Sequence, residues 1–394
     1  MRLGWLGSFT LGAAAVLALV LDNTSGLSHP PRLGAALLLL FTFHLARYPR
    51  FWICREFTLY AGLSAYMSIE LLWSEDASLA LGIIMMSLNF LLIAVLFAAL
   101  VIYHDLAATL GGMLGGFLAG AAYYTFAHRF PFVYPDEFSY NAIANMYLFG
   151  LFITALLGCY MRWRLLPILV GFVLLLHIVA TTSIKTNLGI VLGAISAVIL
   201  NLKLSAKALL RNLIALAIVG SAAAYFVASN DALMERVNGG LQRATAGAAI
   251  LYAREDVNNI GFGTRIGWKD RGLEGWSRNP LFGRGVEAFR VDFGITSHST
   301  PIDLLYNSGL IGCALFYAIF ASLAWRVVRG KNLKGLRAVM LAGFVCYMFM
   351  SLSGTLYYDT FLAASLGISL ALLRRLDTES MRSTREEQRF ATAR

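Results

Sequence analysis

The residue of this chain with the clearest capacity for acid–base chemistry is His298. It follows a charged, glycine-rich segment, 261–297, and precedes an apolar run that begins at Pro301. A neutral imidazole can accept a proton near pH 7, and the positive end of a nearby helix disfavours its protonation. General-base assistance of this kind is typically worth a factor of about 10²–10⁴ in rate. His298 is therefore a candidate base, and the alternative is an interfacial histidine satisfied by backbone or water.

Two cations have positions that suit phosphate binding. Lys185 lies in ATTSIKTNLGIVLG, at the outer end of an apolar run, and Arg265 lies in GTRIGW. A guanidinium offers paired donors and fixed charge, which match a diphosphate. For Lys185 the alternative is a side chain that reaches up to lipid headgroups. For the other basic residues of 230–300 the alternative is a solvated face neutralised by nearby acids.

The remaining motifs are less specific. Asp136 and Glu137 form an adjacent acid pair that could hold a metal or act as a base. The sequence contains no HExxH, paired CxxC, P-loop or dinucleotide-binding fingerprint. GGMLGG at 111–116 is glycine-rich but lies within an apolar run, which indicates close helix packing rather than a phosphate cradle. Glu70 likewise lies in a helix, where hydrogen bonding to a neighbouring helix is the ordinary expectation.

These candidates lie between long apolar runs. Of 394 residues, 58% are hydrophobic and 14% are charged, which is not a soluble globular composition. Runs of about 20 residues can cross the hydrocarbon core as helices, and the pattern shows no barrel-like alternation. We predict an all-α integral membrane protein with about twelve transmembrane helices. The predicted helices are 4–21, 33–46, 57–73, 78–103, 105–127, 140–161, 165–181, 184–201, 207–229, 301–327, 335–353 and 355–374.

The net charge of +10 reports topology rather than a nucleic-acid partner. Lysine and arginine concentrate on alternate connections, which is the positive-inside pattern. We expect both termini in the cytoplasm and a large exported loop before the tenth helix. The chain then divides into helices 1–9 (1–229), the loop insert (230–300), helices 10–12 (301–376) and a cytoplasmic tail (377–394).

Within these divisions, local signals are uneven. Val237 to Tyr252 could form an amphipathic helix, and the glycines from Gly261 to Gly285 are expected to break the rest of the insert into short pieces. Thr300, Pro301 and Asp303 form a good helix-start signal. The polar tail from 377 is expected to be disordered or interfacial. No small-x-small cleavage site follows Val20, so the first apolar run is expected to stay uncleaved. The four cysteines fall in predicted helices or on the inner side, so no disulfide is expected in the exported loop.

Three motifs, in this order, resemble those of the O-antigen ligase and polysaccharide polymerase superfamily. They are SIKTNL at 183–188, GTRIGW with NPLFGRGVEAF, and SHSTPIDLLYNSGLIG. The resemblance implies a metal-independent, inverting glycosyltransferase of the bacterial inner membrane, without cofactor and with a periplasmic active site. The donor would be an undecaprenyl-diphosphate-linked glycan, and the acceptor a glycan or lipid A–core sugar. Membrane lipids and a chain-length regulator are further expected partners.

By the same resemblance, Lys185 and Arg265 would hold the donor diphosphate and His298 would activate the acceptor hydroxyl. Residues of the same segments are supporting candidates: Trp268, Arg284, Asp303 and Tyr306. Lys185 stands where ligases more often have arginine, which favours a polymerase. Ser299 replaces the commoner asparagine, and Pro301 is unusual there. The alternatives are an O-antigen ligase and, more remotely, a lipid-glycan transporter. Transporters favour ionisable residues at the membrane midplane, whereas this chain concentrates charge at one face.

Overall fold

The regular secondary structure of the described residues is helical. The computed structural model describes residues 4–24, 54–128, 140–161, 165–181, 183–200, 228–229, 234–235, 238, 261–329 and 334–392. Each regular element within these ranges is a helix. Several sequence predictions lie outside the described residues: helix 33–46, nearly all of helix 207–229, all of Val237–Tyr252 except residue 238, and the pair Asp136 and Glu137.

The described residues contain twelve helices. In chain order they are α1 Trp5–Thr24, α2 Arg55–Glu70, α3 Ala77–Tyr103, α4 Leu106–His128, α5 Tyr140–Tyr160, α6 Leu165–Ala180, α7 Ile184–Leu200, α8 Gly261–Arg278, α9 Ala288–Phe293, α10 Thr300–Arg329, α11 Lys334–Ser351 and α12 Thr360–Thr392. The equal count does not match the twelve predicted spans one for one, because α8 and α9 belong to the predicted loop insert.

The apolar helices are those of a membrane-embedded protein. Within the described residues, four stretches are long and apolar enough to cross a membrane: Ala77–Tyr103, Leu106–Phe126, Ala142–Tyr160 and Thr300–Arg329. Shorter apolar helices cover Trp5–Leu21, Leu165–Ala180 and Gly335–Ser351. The number of spans and their orientation stay predictions.

The glycines of GGMLGG allow α4 to pack directly on α1. A Cβ at Gly112 would overlap the backbone of Phe9, and a Cβ at Gly116 would overlap the backbone of Ala13. Small residues of this kind let helix backbones approach closely in membranes, where packing is a main source of helix association. The predicted role of this motif in helix packing is confirmed.

Two buried acids join α2 to α10 at both ends of their antiparallel contact. Glu70 accepts a hydrogen bond from Ser308 Oγ at 2.9 Å. Glu56 accepts one from Ser322 Oγ at 2.7 Å and forms an ion pair with Arg326 at 3.5 Å. Buried carboxylates need such partners, because an unpaired charge away from water is costly. The prediction that Glu70 bonds to a neighbouring helix is confirmed.

Helix α10 is interrupted at Gly309, where the backbone has φ 63° and ψ −163°. The turn 280–285 satisfies the backbone groups that the break leaves exposed. The amides of Arg284 and Gly285 donate to the carbonyls of Tyr306 and Asn307, at 3.0 and 2.8 Å, and the Leu310 amide donates to the Pro280 carbonyl at 2.9 Å. Irregular backbone at membrane depth is tolerated where protein groups pair with it in this way.

The expectation that glycines break residues 261–278 into short pieces is wrong. This segment is the single helix α8, of 18 residues. A Cβ at Gly272 or Gly275 would overlap the side chains of Ile302 or Tyr306, so these glycines serve close packing against α10. Positive φ angles that do end regular structure occur later, at Gly283 and Gly285.

The end of the chain also differs from expectation. Helix α12 begins at Thr360 rather than 355 and continues to Thr392, so residues 377–392 are helical rather than disordered. The alternative that this segment is interfacial stays a prediction. The later start of α12 leaves a connection, Leu352–Asp359, that the sequence pattern did not predict. We refer to this connection as the 352–359 loop.

Candidate functional site

The 352–359 loop is the structural centre of the candidate site. Side chains from α7, α8 and α10 all donate to its backbone carbonyls. The loop is also fixed at its last residue, because Asp359 accepts hydrogen bonds from Asn145 Nδ2 and from the Leu362 amide, both at 2.8 Å. It therefore forms a well-held platform onto which several elements converge.

Lys185 reaches this loop from the first turn of α7. Its ammonium Nζ donates to the Ser353 carbonyl at 3.1 Å and lies against Gly354, where a Cβ would overlap it. The Asp359 carboxyl lies within electrostatic range of this ammonium group. The start of α7 is fixed by a 2.9 Å hydrogen bond between the buried hydroxyls of Ser183 and Thr186. The SIKT motif thus holds its lysine at the loop.

Lys269 reaches the same loop from α8, and sequence reasoning missed it. Its Nζ donates to the Leu352 carbonyl at 3.2 Å. In the sequence Lys269 is one of many basic residues of the segment 230–300, and no local signal distinguishes it. Arg265 occupies the position one helical turn earlier on α8, where the structure describes the backbone alone. Two ammonium groups from different helices therefore bind consecutive carbonyls of one turn.

The turn that carries His298 has a strained backbone. His298 has φ 54°, and among the described residues it and Glu287 are the two non-glycine residues with positive φ. This left-handed conformation costs roughly 1–2 kcal/mol for an ordinary residue and persists only where the surroundings hold it. The buried neighbours do so: Ser297 Oγ donates to the Ser299 carbonyl at 2.9 Å and accepts from the Ser299 amide at 3.1 Å.

The first turn of α10 connects the His298 turn to the 352–359 loop. The carboxylate of Asp303 accepts from the Ser297 amide at 3.0 Å and from Thr355 Oγ1 at 2.9 Å. The helix starts at Thr300, one residue before the predicted start at Pro301. The Thr300 hydroxyl does not cap this helix: it donates to the Gly354 carbonyl at 2.6 Å and accepts from the Leu356 amide at 2.9 Å. The threonine therefore joins two loops in addition to starting a helix.

Two of the supporting candidates, Arg284 and Tyr306, belong to a separate polar group. Arg284 Nη1 donates to the Tyr306 hydroxyl at 2.9 Å and lies 3.1 Å from the Asp292 carboxylate. The Tyr306 hydroxyl also donates to Asp292. Glu75 forms a further ion pair with Arg284 at 3.6 Å. This arginine is balanced by two carboxylates, and its contacts fix the turn 280–285 against α10.

Trp268, another of the supporting candidates, packs between α8 and α9. Its ring lies 5.5 Å from the Phe293 ring, in a small apolar cluster with Phe289 and Tyr306. The Arg271 guanidinium lies 5.4 Å from the centre of the Trp268 ring. This cluster holds α8, and with it Lys269, against α9 and α10.

Glu287 is another residue of the site region that the sequence analysis did not single out. It precedes α9 with φ 63°, and 3% of its surface is exposed. Burial, followed by the neighbouring Asp303 carboxyl, raises the pKa of Glu287 to about 7, and Arg290 opposes this rise. Arg290 Nη1 lies 3.8 Å from Glu287 Oε2. A carboxyl of this kind changes charge near neutral pH.

The structure thus brings Lys185, Lys269 and the first turn of α10 to one loop, with His298 two residues before that turn. Within the described ranges, no group of three or more His, Cys, Asp or Glu side chains is arranged to hold a metal ion.

Comparison with known proteins adds no family to this geometry. The chain matches no protein-family model, and no curated protein matches it significantly in sequence. The resemblance to O-antigen ligases and polymerases therefore rests on the three sequence motifs alone.

Proposed function

We propose that this protein is a bacterial inner-membrane glycosyltransferase that moves an undecaprenyl-diphosphate-linked glycan onto an acceptor sugar hydroxyl at the periplasmic face. The observation that carries the proposal is the convergence of Lys185 and Lys269 on the carbonyls of Ser353 and Leu352. The loop that receives both lysines also receives the helix turn that follows His298. The two lysines and the backbone turn that carries the candidate base are therefore joined through one loop.

A diphosphate leaving group requires fixed positive charge. An ammonium group carries three donors, so one lysine can bind a backbone carbonyl and an anion together. Cations held in advance by the protein stabilise developing negative charge without reorganising during the reaction. In this proposal Lys185 and Lys269 bind the diphosphate, and Arg265 contributes from the preceding turn of α8.

His298 is the proposed base. Its imidazole removes the proton from the acceptor hydroxyl while that oxygen attacks the anomeric carbon of the donor sugar. The bond from this carbon to the lipid diphosphate breaks, and the diphosphate leaves with the bonding electron pair. Direct displacement inverts the anomeric configuration. The left-handed backbone of His298 supports this role, because such strain clusters at functional sites.

Within this class we favour a polysaccharide polymerase, with an O-antigen ligase as the alternative. Lysine rather than arginine at 185 carries this preference. Incubation of the purified protein with lipid-linked repeats alone separates the two: polymer formation identifies a polymerase. Transfer that occurs only when lipid A–core is added identifies a ligase.

A lipid-glycan transporter is the remaining alternative, and the break in α10 at Gly309 is the feature that would favour it. The backbone groups around that break are already paired with the turn 280–285, so the break is filled by protein. If the His298→Ala variant assembled glycan at the full rate but moved no lipid, the transferase proposal would be wrong.

The direct test is transfer in vitro from a defined undecaprenyl-diphosphate glycan. We expect Lys185→Gln and Lys269→Gln each to reduce kcat/KM by about tenfold to a hundredfold, the range for losing a hydrogen bond to a charged group. Because both lysines would bind one diphosphate, their effects should not be additive. Arg278→Gln is the matched control, since Arg278 lies on the same helix as Lys269 but is exposed and paired with Glu274. Full activity in both lysine variants would exclude Lys185 and Lys269 as the residues that bind the donor diphosphate.

A further inference from the structure

A second site lies at the far end of α10 from the His298 turn. An open cavity of about 400 Å³ is lined by residues at the start of α2, at the end of α10 and in the middle of α12. Each helix contributes one arginine to its lining: Arg55, Arg326 and Arg374. The cavity is thus lined by three guanidinium groups from three separate helices, and it is distinct from the candidate active site.

The lining of this cavity holds three guanidinium groups and one carboxylate. Its one carboxylate, Glu56, is 1% exposed and is committed to Ser322 and Arg326. Arg326 also forms an ion pair with Asp377 at 3.3 Å. Arg55 and Arg374 add two further positive charges to the lining. A guanidinium presents a planar set of donors that matches the oxygens of a phosphate. The cavity therefore favours a phosphate-bearing anion.

The position of the cavity indicates where that phosphate comes from. The cavity lies at the carboxyl end of α10, whereas the His298 turn directly precedes the amino end of this helix. The stretch Thr300–Arg329 is long and apolar enough to cross a membrane, which would place the two ends at opposite faces. Trp325, which also lines the cavity, is 58% exposed, and the Arg329 guanidinium lies 3.8 Å from the centre of its ring. Tryptophan and arginine together at the end of an apolar helix are typical of the headgroup region.

From this geometry we propose that the cavity binds the phosphate of an anionic phospholipid headgroup, in the leaflet opposite the His298 turn. Basic pockets between transmembrane helices bind anionic headgroups for the reasons given above. The lipid would join α2, α10 and α12 at this end of the bundle. The inference does not depend on the proposed transferase activity.

The test uses the purified full-length protein in an uncharged detergent. Binding of phosphatidylglycerol, phosphatidylcholine with the same acyl chains, and soluble glycerol phosphate is measured by native mass spectrometry and by thermal unfolding. We expect phosphatidylglycerol to bind and to raise the unfolding temperature, with phosphatidylcholine and glycerol phosphate much weaker. Arg55→Gln and Arg374→Gln should each weaken phosphatidylglycerol binding roughly fivefold, as expected for one cation near a lipid phosphate.

Arg329→Gln is the matched control, because Arg329 lies at the same end of α10 but does not line the cavity. Its affinity for phosphatidylglycerol should equal that of the unmodified protein. If Arg329→Gln and Arg55→Gln weakened phosphatidylglycerol binding equally, the proposal would be overturned, because binding would then depend on the overall positive charge of this surface rather than on the cavity. Equal binding of the two lipids would overturn it as well. Competition by glycerol phosphate at similar concentrations would assign the cavity to a soluble phosphate and overturn the lipid assignment. Because Arg55 is exposed, its variant tests the proposal even if Arg374→Gln does not fold.

Discussion

The carboxylate of Asp303 accepts a hydrogen bond from Thr355 Oγ1 at 2.9 Å, across 52 positions of the chain. Its other oxygen accepts from the Ser297 amide at 3.0 Å. One side chain thus sets the position of the His298 turn relative to the loop that binds Lys185 and Lys269. The geometry of the candidate site therefore depends on Asp303, although Asp303 need not touch a substrate.

Thr355→Val should loosen this connection, because valine has a similar shape but cannot donate to Asp303. We expect the free energy of unfolding to fall by about 1 kcal/mol or somewhat more, the usual cost of an unpaired buried acceptor. Transfer activity should fall by about tenfold, since small displacements of a base are costly in rate. Thr355→Ser keeps the hydroxyl and should restore both thermal stability and kcat. If the serine variant behaved like the valine variant, the hydrogen bond would not be the cause.

Substitutions at His298 should separate its backbone strain from its chemistry. His298→Gly removes the left-handed strain, so its free energy of unfolding should exceed that of His298→Ala by up to about 1 kcal/mol. The glycine variant should therefore unfold at a higher temperature. Both variants lack the base, so both should lose about 10²–10⁴ in transfer rate. Asparagine tolerates the left-handed conformation, so His298→Asn should be nearly as stable as the glycine variant and equally inactive. Substantial transfer activity in any of the three would exclude His298 as the base.

Glu287 should make stability depend on pH near neutrality. Burial and the Asp303 carboxyl raise the pKa of Glu287 from 4.5 to about 7 in the folded protein. Because the folded pKa is the higher one, the folded state binds more protons between these values. Its contribution to stability is then complete below the unfolded pKa and is lost as the pH rises through about 7. At about 1.4 kcal/mol per pKa unit, a rise from 4.5 to about 7 corresponds to a loss of roughly 3–4 kcal/mol.

Thermal unfolding at pH 5.5 and pH 8 measures this effect. The unmodified protein should be less stable at the higher pH, and Glu287→Gln should lose this part of the dependence. Asp270→Asn, on the exposed surface of α8, is the control and should leave the dependence unchanged. An unchanged pH dependence in Glu287→Gln would show that another group is responsible.

Gly275 is predicted to be the contact that brings α8 close to α10. A Cβ at this position would overlap the Tyr306 ring, so Gly275→Ala should cost about 1–3 kcal/mol, as overpacking generally does. The same change should lower transfer activity, because α8 carries Lys269. Gly267 has nothing within 4 Å of an added Cβ, so Gly267→Ala should be neutral or stabilising through its helix propensity. Unfolding temperatures of the two alanine variants provide the comparison, and similar values would contradict the predicted packing.

Sequence alone determined the helical, membrane-embedded character and many of the helix positions. The predicted spans 78–103, 105–127 and 140–161 lie within one residue of the helices Ala77–Tyr103, Leu106–His128 and Tyr140–Tyr160. This is because a bilayer leaves the backbone of a lipid-exposed apolar run few options other than a helix, and hydrophobicity is a local property of the sequence. The start of α10 was readable to within one residue from Thr300 and Pro301, although the Thr300 hydroxyl bonds to the 352–359 loop rather than to the helix.

Only the tertiary structure decided which polar residues meet. Nothing local distinguishes Lys269 from the other basic residues of the insert, and glycines that predict breaks in a helix serve instead as packing positions against Ile302 and Tyr306. The 352–359 loop interrupts an almost continuous apolar pattern, because its backbone groups find partners in Thr300, Lys185 and Lys269 rather than in a helix. Hydrogen bonds between residues distant in the chain depend on how helices pack, and that packing is not encoded in the spacing of any one segment.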